Sequence, residues 1–242
     1  MSHLRGVSFL SVVCAVVAQA ATVTVEVAAF GSPWLAGMPD GSTCCHADPT
    51  RPIDSAPGQS PAWANPLGFI PGEIMVFSVT GTTKHGPPLP LVNADGRPGV
   101  FSTNEAGSEN GMSNLNAPLS SLVGVFLSDA QPNTLPAPAA LDFAVGSGIN
   151  FLTLSPLLQQ VFFIGDGLTD TSIRQQFLVP LGATRLYLGT MDGYEWNNNS
   201  GSLSATVTTV TVTPRDIEAP EPATLIPLGI GLAVMIGLRA RR

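Results

Sequence analysis

Apolar and polar positions alternate along several short stretches of this chain, with the two-residue period of half-buried strands. The clearest is Leu203–Thr213, where Leu, Ala and Val interleave with Ser and Thr. Similar runs at Thr22–Phe30, Glu73–Thr80, Leu122–Leu127, Gln159–Ile164, Gln176–Val179 and Thr184–Gly189 predict further strands. Turn residues separate them, and several short strands spaced in this way predict an all-β fold, an antiparallel β-sandwich. One segment, Leu152–Gln160, is expected to form a short helix. Three stretches read as long loops: the Pro/Ser/Gly-rich Gly31–Leu67, the Asn/Gly/Glu-rich Val92–Asn116, and the Pro/Ala segment Asp129–Ala140. Loops of this length in a compact domain tend to carry function.

The two ends follow a different pattern. Arg5 precedes an apolar run from Val7 to Val17, and Ala18-Gln19-Ala20 provides the small-x-small site of a signal peptide, with cleavage expected after Ala20. At the other end, Pro220-Glu221-Pro222 is followed by the apolar stretch Ala223–Leu238, and then by Arg239, Arg241 and Arg242. An apolar segment closed by cations inserts with its charged end inside. This tail (Pro-Glu-Pro, apolar helix, terminal arginines) resembles the PEP-CTERM sorting signal of Gram-negative bacteria. The resemblance implies passage through the inner membrane, recognition by an exosortase, cleavage near Pro-Glu-Pro, and delivery to the cell surface or an extracellular polymer. A plain membrane anchor is the other reading of the tail. Either one leaves residues 21–219 as a single exported domain.

Composition narrows the partners. Without the signal segment and the tail, 6 cations stand against 16 acids, a net charge near −10. Such a surface repels nucleic acid, and no basic stripe with interleaved aromatics runs along the chain. It suits divalent cations. With Cys14 in the signal segment, the exported part keeps only the adjacent Cys44 and Cys45. These can form a vicinal disulfide, pair with other chains, or be incidental loop residues; His46 alone is too little for a zinc site of C-x-x-C type.

The most informative loop is Asp192–Ser202, DGYEWNNNSGS, between two predicted strands. Calcium takes six to eight oxygens from carboxylates, amide side chains and carbonyls, and this loop offers several at once. Asn, Gly and Asp also fill ordinary hairpin turns, because they tolerate positive φ and bond their own backbone.

Asn198–Val207, NNSGSLSATV, resembles the end of the calcium-dependent galactophilic lectins of Pseudomonas (PA-I type), in which a loop ending Asn-Asn-Ser-Gly-Ser leads into the last strand. Pro71-Gly72-Glu73, an apolar run, Gly81 and His85-Gly86-Pro87 follow the family's Pro-Gly-Asp, strand, Gly, Tyr-Gly-Pro, and Gly182-Ala183-Thr184 matches before the penultimate strand. The likeness spans about residues 67–212 if 129–167 is an insertion. It implies a lectin-like sandwich and one Ca2+ held by the side chains of Asp192, Asn198 and Asn199 with the backbone oxygens of His85 and Glu195. In that family the same ion coordinates two sugar hydroxyls. The loop is one residue shorter than the family's, and the family's sugar-contacting His and Gln have no clear counterpart. Asp95 is the polar residue placed to touch a sugar, and Trp196 could either stack on one or pack on the edge of the sandwich.

Catalysis finds little support. Ile164-Gly165-Asp166-Gly167-Leu168 resembles a lipase Gly-Asp-Ser-Leu block, but Gly167 stands at the nucleophile position, so no acyl-enzyme can form there. His46 and His85 lie in no nucleophile or zinc motif. The expected function is a calcium-dependent carbohydrate-binding module acting on extracellular polysaccharide or glycan. The alternative is a structural matrix or envelope protein, with calcium used only for stability or not at all.

Overall fold

A computed structural model describes residues 21–210, apart from 46–47, 49, 65–67, 69 and 147. The signal segment ending at Ala20 lies outside the described residues. So does the tail with Pro220, Glu221, Pro222, the apolar stretch 223–238, Arg239, Arg241 and Arg242. Among the described residues no helix is long and apolar enough to cross a membrane.

The strands are β1 (Thr22–Ala28), β2 (Thr43–Cys44), β3 (Asp54–Ser55), β4 (Ala62–Trp63), β5 (Ile74–Lys84), β6 (Phe101–Thr103) and β7 (Leu115–Pro118). They continue with β8 (Leu122–Leu127), β9 (Leu141–Asp142), β10 (Thr153–Leu154), β11 (Val161–Phe163), β12 (Gln176–Leu178), β13 (Arg185–Thr190) and β14 (Ser200–Val210). Each of the seven sequence-predicted strands is present, and the described part of the chain is all-β.

The Ser/Thr alternation of β14 sets the first layer. Leu203, Ala205, Val207 and Thr209 point inward, while the intervening hydroxyls face water. On that outer face Thr24 and Thr206 bond through their hydroxyls at 2.9 Å, and Thr22 and Thr208 at 3.1 Å, cross-strand pairs that hold β1 in register. β5 runs on to Lys84, four residues past its expected end at Thr80, because β14 pairs with it along its whole length from Ile74↔Val210 to Lys84↔Ser200. The resulting sheet has the order β1-β14-β5-β12-β10, antiparallel except for β10 with β12.

A four-stranded antiparallel sheet, β11-β8-β13-β4, packs against it in a sandwich-like arrangement. Phe162 of β11 meets Phe177 of β12 across the layers at 5.7 Å, and Phe177 in turn meets Phe77 of β5 edge-on at 5.0 Å. All six residues of β8 are buried. A strand covered on both faces reads as a continuous apolar run, as Leu122–Leu127 does. The second cover comes from two regions expected to lie outside the sandwich. The fully buried Trp34 of the short 3-10 turn Pro33–Leu35 donates its indole N–H to the Ser113 carbonyl. Phe143, next after β9, packs on Phe163 of β11 at 5.6 Å beside the small sheet β6-β7-β9.

Two expectations are therefore corrected. The stretch read as the loop Gly31–Leu67 is not a polar loop alone, since Trp34, Leu35 and Ala36 belong to the core. The expected helix at Leu152–Gln160 is instead β10, paired in parallel with β12, followed by a turn in which Gln159 has φ +64°. An isolated helix that short cannot recover the cost of its first turn.

Candidate cation site at the Asp192 loop

After β13 the chain is tied to its neighbour: the Met191 N–H donates to the Ser121 carbonyl, and the Ser120 N–H to that of Met191. The next residue, Asp192, is thereby drawn inside and is only 1% exposed. Glu195 then adopts the left-handed conformation, and Trp196–Asn198 form a 3-10 turn that hands the chain to β14.

Asp192 is fully partnered. Its Oδ1 accepts the Gly193 N–H at 2.5 Å; its Oδ2 accepts His85 Nδ1 at 2.7 Å and the Asn199 amide at 2.8 Å. The Asn199 amide also donates to the Ala29 carbonyl, and its oxygen accepts the Gly86 N–H at 3.3 Å. Asn198 donates to Glu195 Oε2 at 3.2 Å. Its own Oδ1 is buried with no hydrogen-bond donor and lies 3.3 Å from where a Cβ on Gly86 would be. His85, Asp192, Glu195, Asn198 and Asn199 are thus brought together by two segments more than a hundred residues apart. It is the His85 side chain that meets Asp192, and the Glu195 carbonyl accepts the Asn198 N–H at 3.1 Å within the turn.

A further carboxylate was missed. Asp54 of β3 is fully buried and accepts the Trp196 N–H at 2.9 Å and the Asn197 N–H at 3.0 Å. Burial pushes its pKa up to about 6; the two N–H groups oppose the rise, and the nearby charges of Asp192 and Glu195 add to it. Nothing around Asp54 in the sequence marks it, since its partners lie some 140 positions away.

The two residues expected to contact sugar are engaged within the protein. Trp196 is 0% exposed, packs edge-on against Trp34 at 5.5 Å and donates its indole N–H to the Thr190 carbonyl. It has no free face for a pyranose, and the stacking role is corrected. Asp95 accepts the Asp166 N–H at 2.9 Å and the Asn93 amide at 3.1 Å. It braces the Gly165–Gly167 turn, and a side chain at Gly167 would run into the Phe77 carbonyl.

Cys44 and Cys45 form a vicinal disulfide, with the buried Ser32 hydroxyl 3.3 and 3.1 Å from the two sulfurs. Glu109 stands close enough to complete a three-ligand cluster with them, but a disulfide offers no thiolate, and Glu109 accepts the Cys45 N–H at 2.6 Å. Because the covalent ring closes no intervening residues, its restriction of the unfolded chain amounts to about 1 kcal/mol. Reduction is therefore expected to lower Tm by only a few degrees, read by thermal unfolding with and without a phosphine reductant.

Three groups make stability depend on pH in the same direction. Asp54, its pKa raised mainly by burial, destabilises the fold when ionised; that cost, about 3 kcal/mol at neutral pH, fades as pH falls through 6 toward 4. Asp95, also raised mainly by burial, behaves alike. His85 is raised, chiefly by its hydrogen bond to Asp192, so its contribution is complete below its unfolded value near 6.5 and is lost at higher pH. In chelator the urea midpoint should be higher at pH 5.5 than at pH 8; an equal or lower midpoint would contradict this account.

No family model matches the chain, and no curated protein matches its sequence.

Proposed function

We propose that this is an exported surface or matrix protein that binds carbohydrate through one calcium ion held by Asp192, Asn198 and Asn199, with backbone oxygens of His85 and Glu195. The observation that carries the reading is the buried Asn198 oxygen without a donor, set beside Asp192 and Asn199 against His85-Gly86. An unpartnered amide oxygen suits a hard cation, and buried polar atoms rarely lack a partner. When bound, calcium supplies a positive centre with coordination positions for sugar hydroxyls. The chain's own groups prepare for it: Asp54, Asp192 and Glu195 concentrate negative charge, and the 3-10 turn sets Asn198 and Asn199 side by side. In this reading the His85 imidazole is the internal partner of Asp192 and gives way to the ion. The resemblances in the end segments support a route through the inner membrane of a Gram-negative bacterium, with an exosortase as the sorting partner. The module binds and does not catalyse.

A second reading, a structural protein of the envelope or exopolysaccharide with calcium only for stability, is favoured by the burial of Trp196 and the engagement of Asp95.

Calorimetric titration of calcium into the chelator-treated protein tests the first reading, followed by a glycan array with and without chelator. Asn198→Ala, which removes that unpartnered oxygen and the amide's bond to Glu195, should weaken calcium about tenfold or more while leaving the fold intact; Asp192→Ala should abolish binding. A glycan signal lost with chelator supports the lectin role, whereas calcium binding with no glycan signal supports the structural one. Absence of calcium binding overturns both uses of the ion.

A further inference from the structure

Asp54 belongs to the segment before residue 67, outside the span that resembles the lectins, yet its carboxylate ends within the Asp192 loop. Both of its hydrogen bonds go to main-chain N–H groups of the residues immediately before the paired amides, Trp196 and Asn197. These are the first donors of a 3-10 turn, groups that have no partner inside a helical turn. The residue that normally serves them is the turn's own cap, but Glu195 is left-handed and makes no side-chain cap bond. Asp54 therefore caps the turn from a distant strand. The following N–H groups, of Asn198 and Asn199, are held by the Glu195 and Trp196 carbonyls, so the backbone carrying both amides is fixed from its first residue.

Asp54 is itself anchored. It stands opposite Cys44 in the β2–β3 ladder, and Cys45 is tied through its N–H to Glu109. The carboxylate is wholly buried and lies near two like charges, Asp192 and Glu195, an arrangement that costs stability in the absence of a cation. Capping alone could be done by an uncharged Ser or Asn. A carboxylate at this position adds negative potential to the ligand loop as well as geometry.

We propose that Asp54 is a positioning residue of the cation site: it sets the backbone of Asn198 and Asn199 for coordination, making the N-terminal segment an integral part of that site. The inference rests on the calcium reading above.

Terbium(III), which takes calcium's oxygen ligands, tests it in the full-length protein. Its luminescence lifetime in H2O and D2O counts the waters left on the ion, a quantity that a merely structural residue would not change. Asp54→Asn is expected to weaken terbium and calcium about tenfold or more, as the loss of a charge-assisted bond implies, and to add at least one coordinated water while circular dichroism stays unchanged. Asp54→Ser, small and able to accept one of the two N–H groups, should fall in the same direction and guards against a misfit of the Asn amide. Equal affinity and equal water number in wild type and folded variants would overturn the proposal with the calcium reading intact. Failure of wild type to bind either ion would remove the calcium reading, and this proposal with it. Loss of the fold in both variants would make Asp54 a general structural residue and overturn its specific role.

Discussion

Replacing Trp196 by Ala should destabilise the protein by about 3–5 kcal/mol, the range for deleting a large buried aromatic. The indole is 0% exposed, so the substitution leaves a cavity between β13, the ligand turn and Trp34. It also strands the Thr190 carbonyl, which accepts the indole N–H at 2.8 Å. Against a total of about 5–15 kcal/mol for a domain, such a loss is a large fraction. Urea unfolding measures it directly, with Trp196→Phe as a milder companion that keeps most of the volume and loses only the hydrogen bond and part of the packing. The result separates two roles. A sugar platform on the surface would lose glycan binding at nearly constant stability, whereas a core residue loses stability first. A change below about 1 kcal/mol would show that the ring is not packed as described.

Gly81→Ala is the second large effect, expected at about 2–5 kcal/mol. Gly81 has φ +104° in the middle of β5, opposite Leu203, a conformation that L side chains rarely adopt. A Cβ there would lie 3.1 Å from the Leu203 Cα and closer still to the Ser202 carbonyl oxygen. Neither atom can move without opening the β5–β14 ladder, so backbone strain of about 1–2 kcal/mol adds to overpacking of about 1–3 kcal/mol. The ladder ends three residues on, where Lys84 pairs with Ser200 and hands the chain to His85. Opening it should therefore also separate His85 and Gly86 from Asn199 and weaken the cation site. Gly58→Ala is the control: its backbone lies outside the left-handed region and a Cβ meets nothing closer than 3.5 Å, so its urea midpoint should be almost unchanged. Equal midpoints for the two variants would refute the steric argument.

How far the site could be read in advance depended on where its parts lie in the chain. Asp192, Asn198 and Asn199 share one loop, and their residue types announced an oxygen-rich turn. His85-Gly86 could be added because a second short motif stood at the end of a recognisable strand. Asp54 could not be added: one carboxylate in a Pro-Ile-Asp-Ser stretch carries no periodicity and acts on main-chain groups of no particular sequence. Trp196 left two readings open for a related reason. An aromatic among polar loop residues can face a ligand or pack on the sandwich edge, and only the arrival of Trp34 from the other side puts it in the core.

Local chemistry by itself determined seven of the fourteen described strands. Val, Thr and Phe alternating between turn residues can satisfy their backbone and bury one face only as a pleated sheet, so all seven stretches were legible before any pairing was known. Tertiary structure decided everything that depends on which faces meet. It set the length of β5, because β14 pairs with it through Lys84. It brought Trp34 and Phe143 onto the β11-β8-β13-β4 sheet, paired β11 with β8, and brought a carboxylate of β3 to the ligand turn. The physical reason is that periodicity records whether a residue is buried, whereas long-range packing and buried hydrogen bonds decide against what.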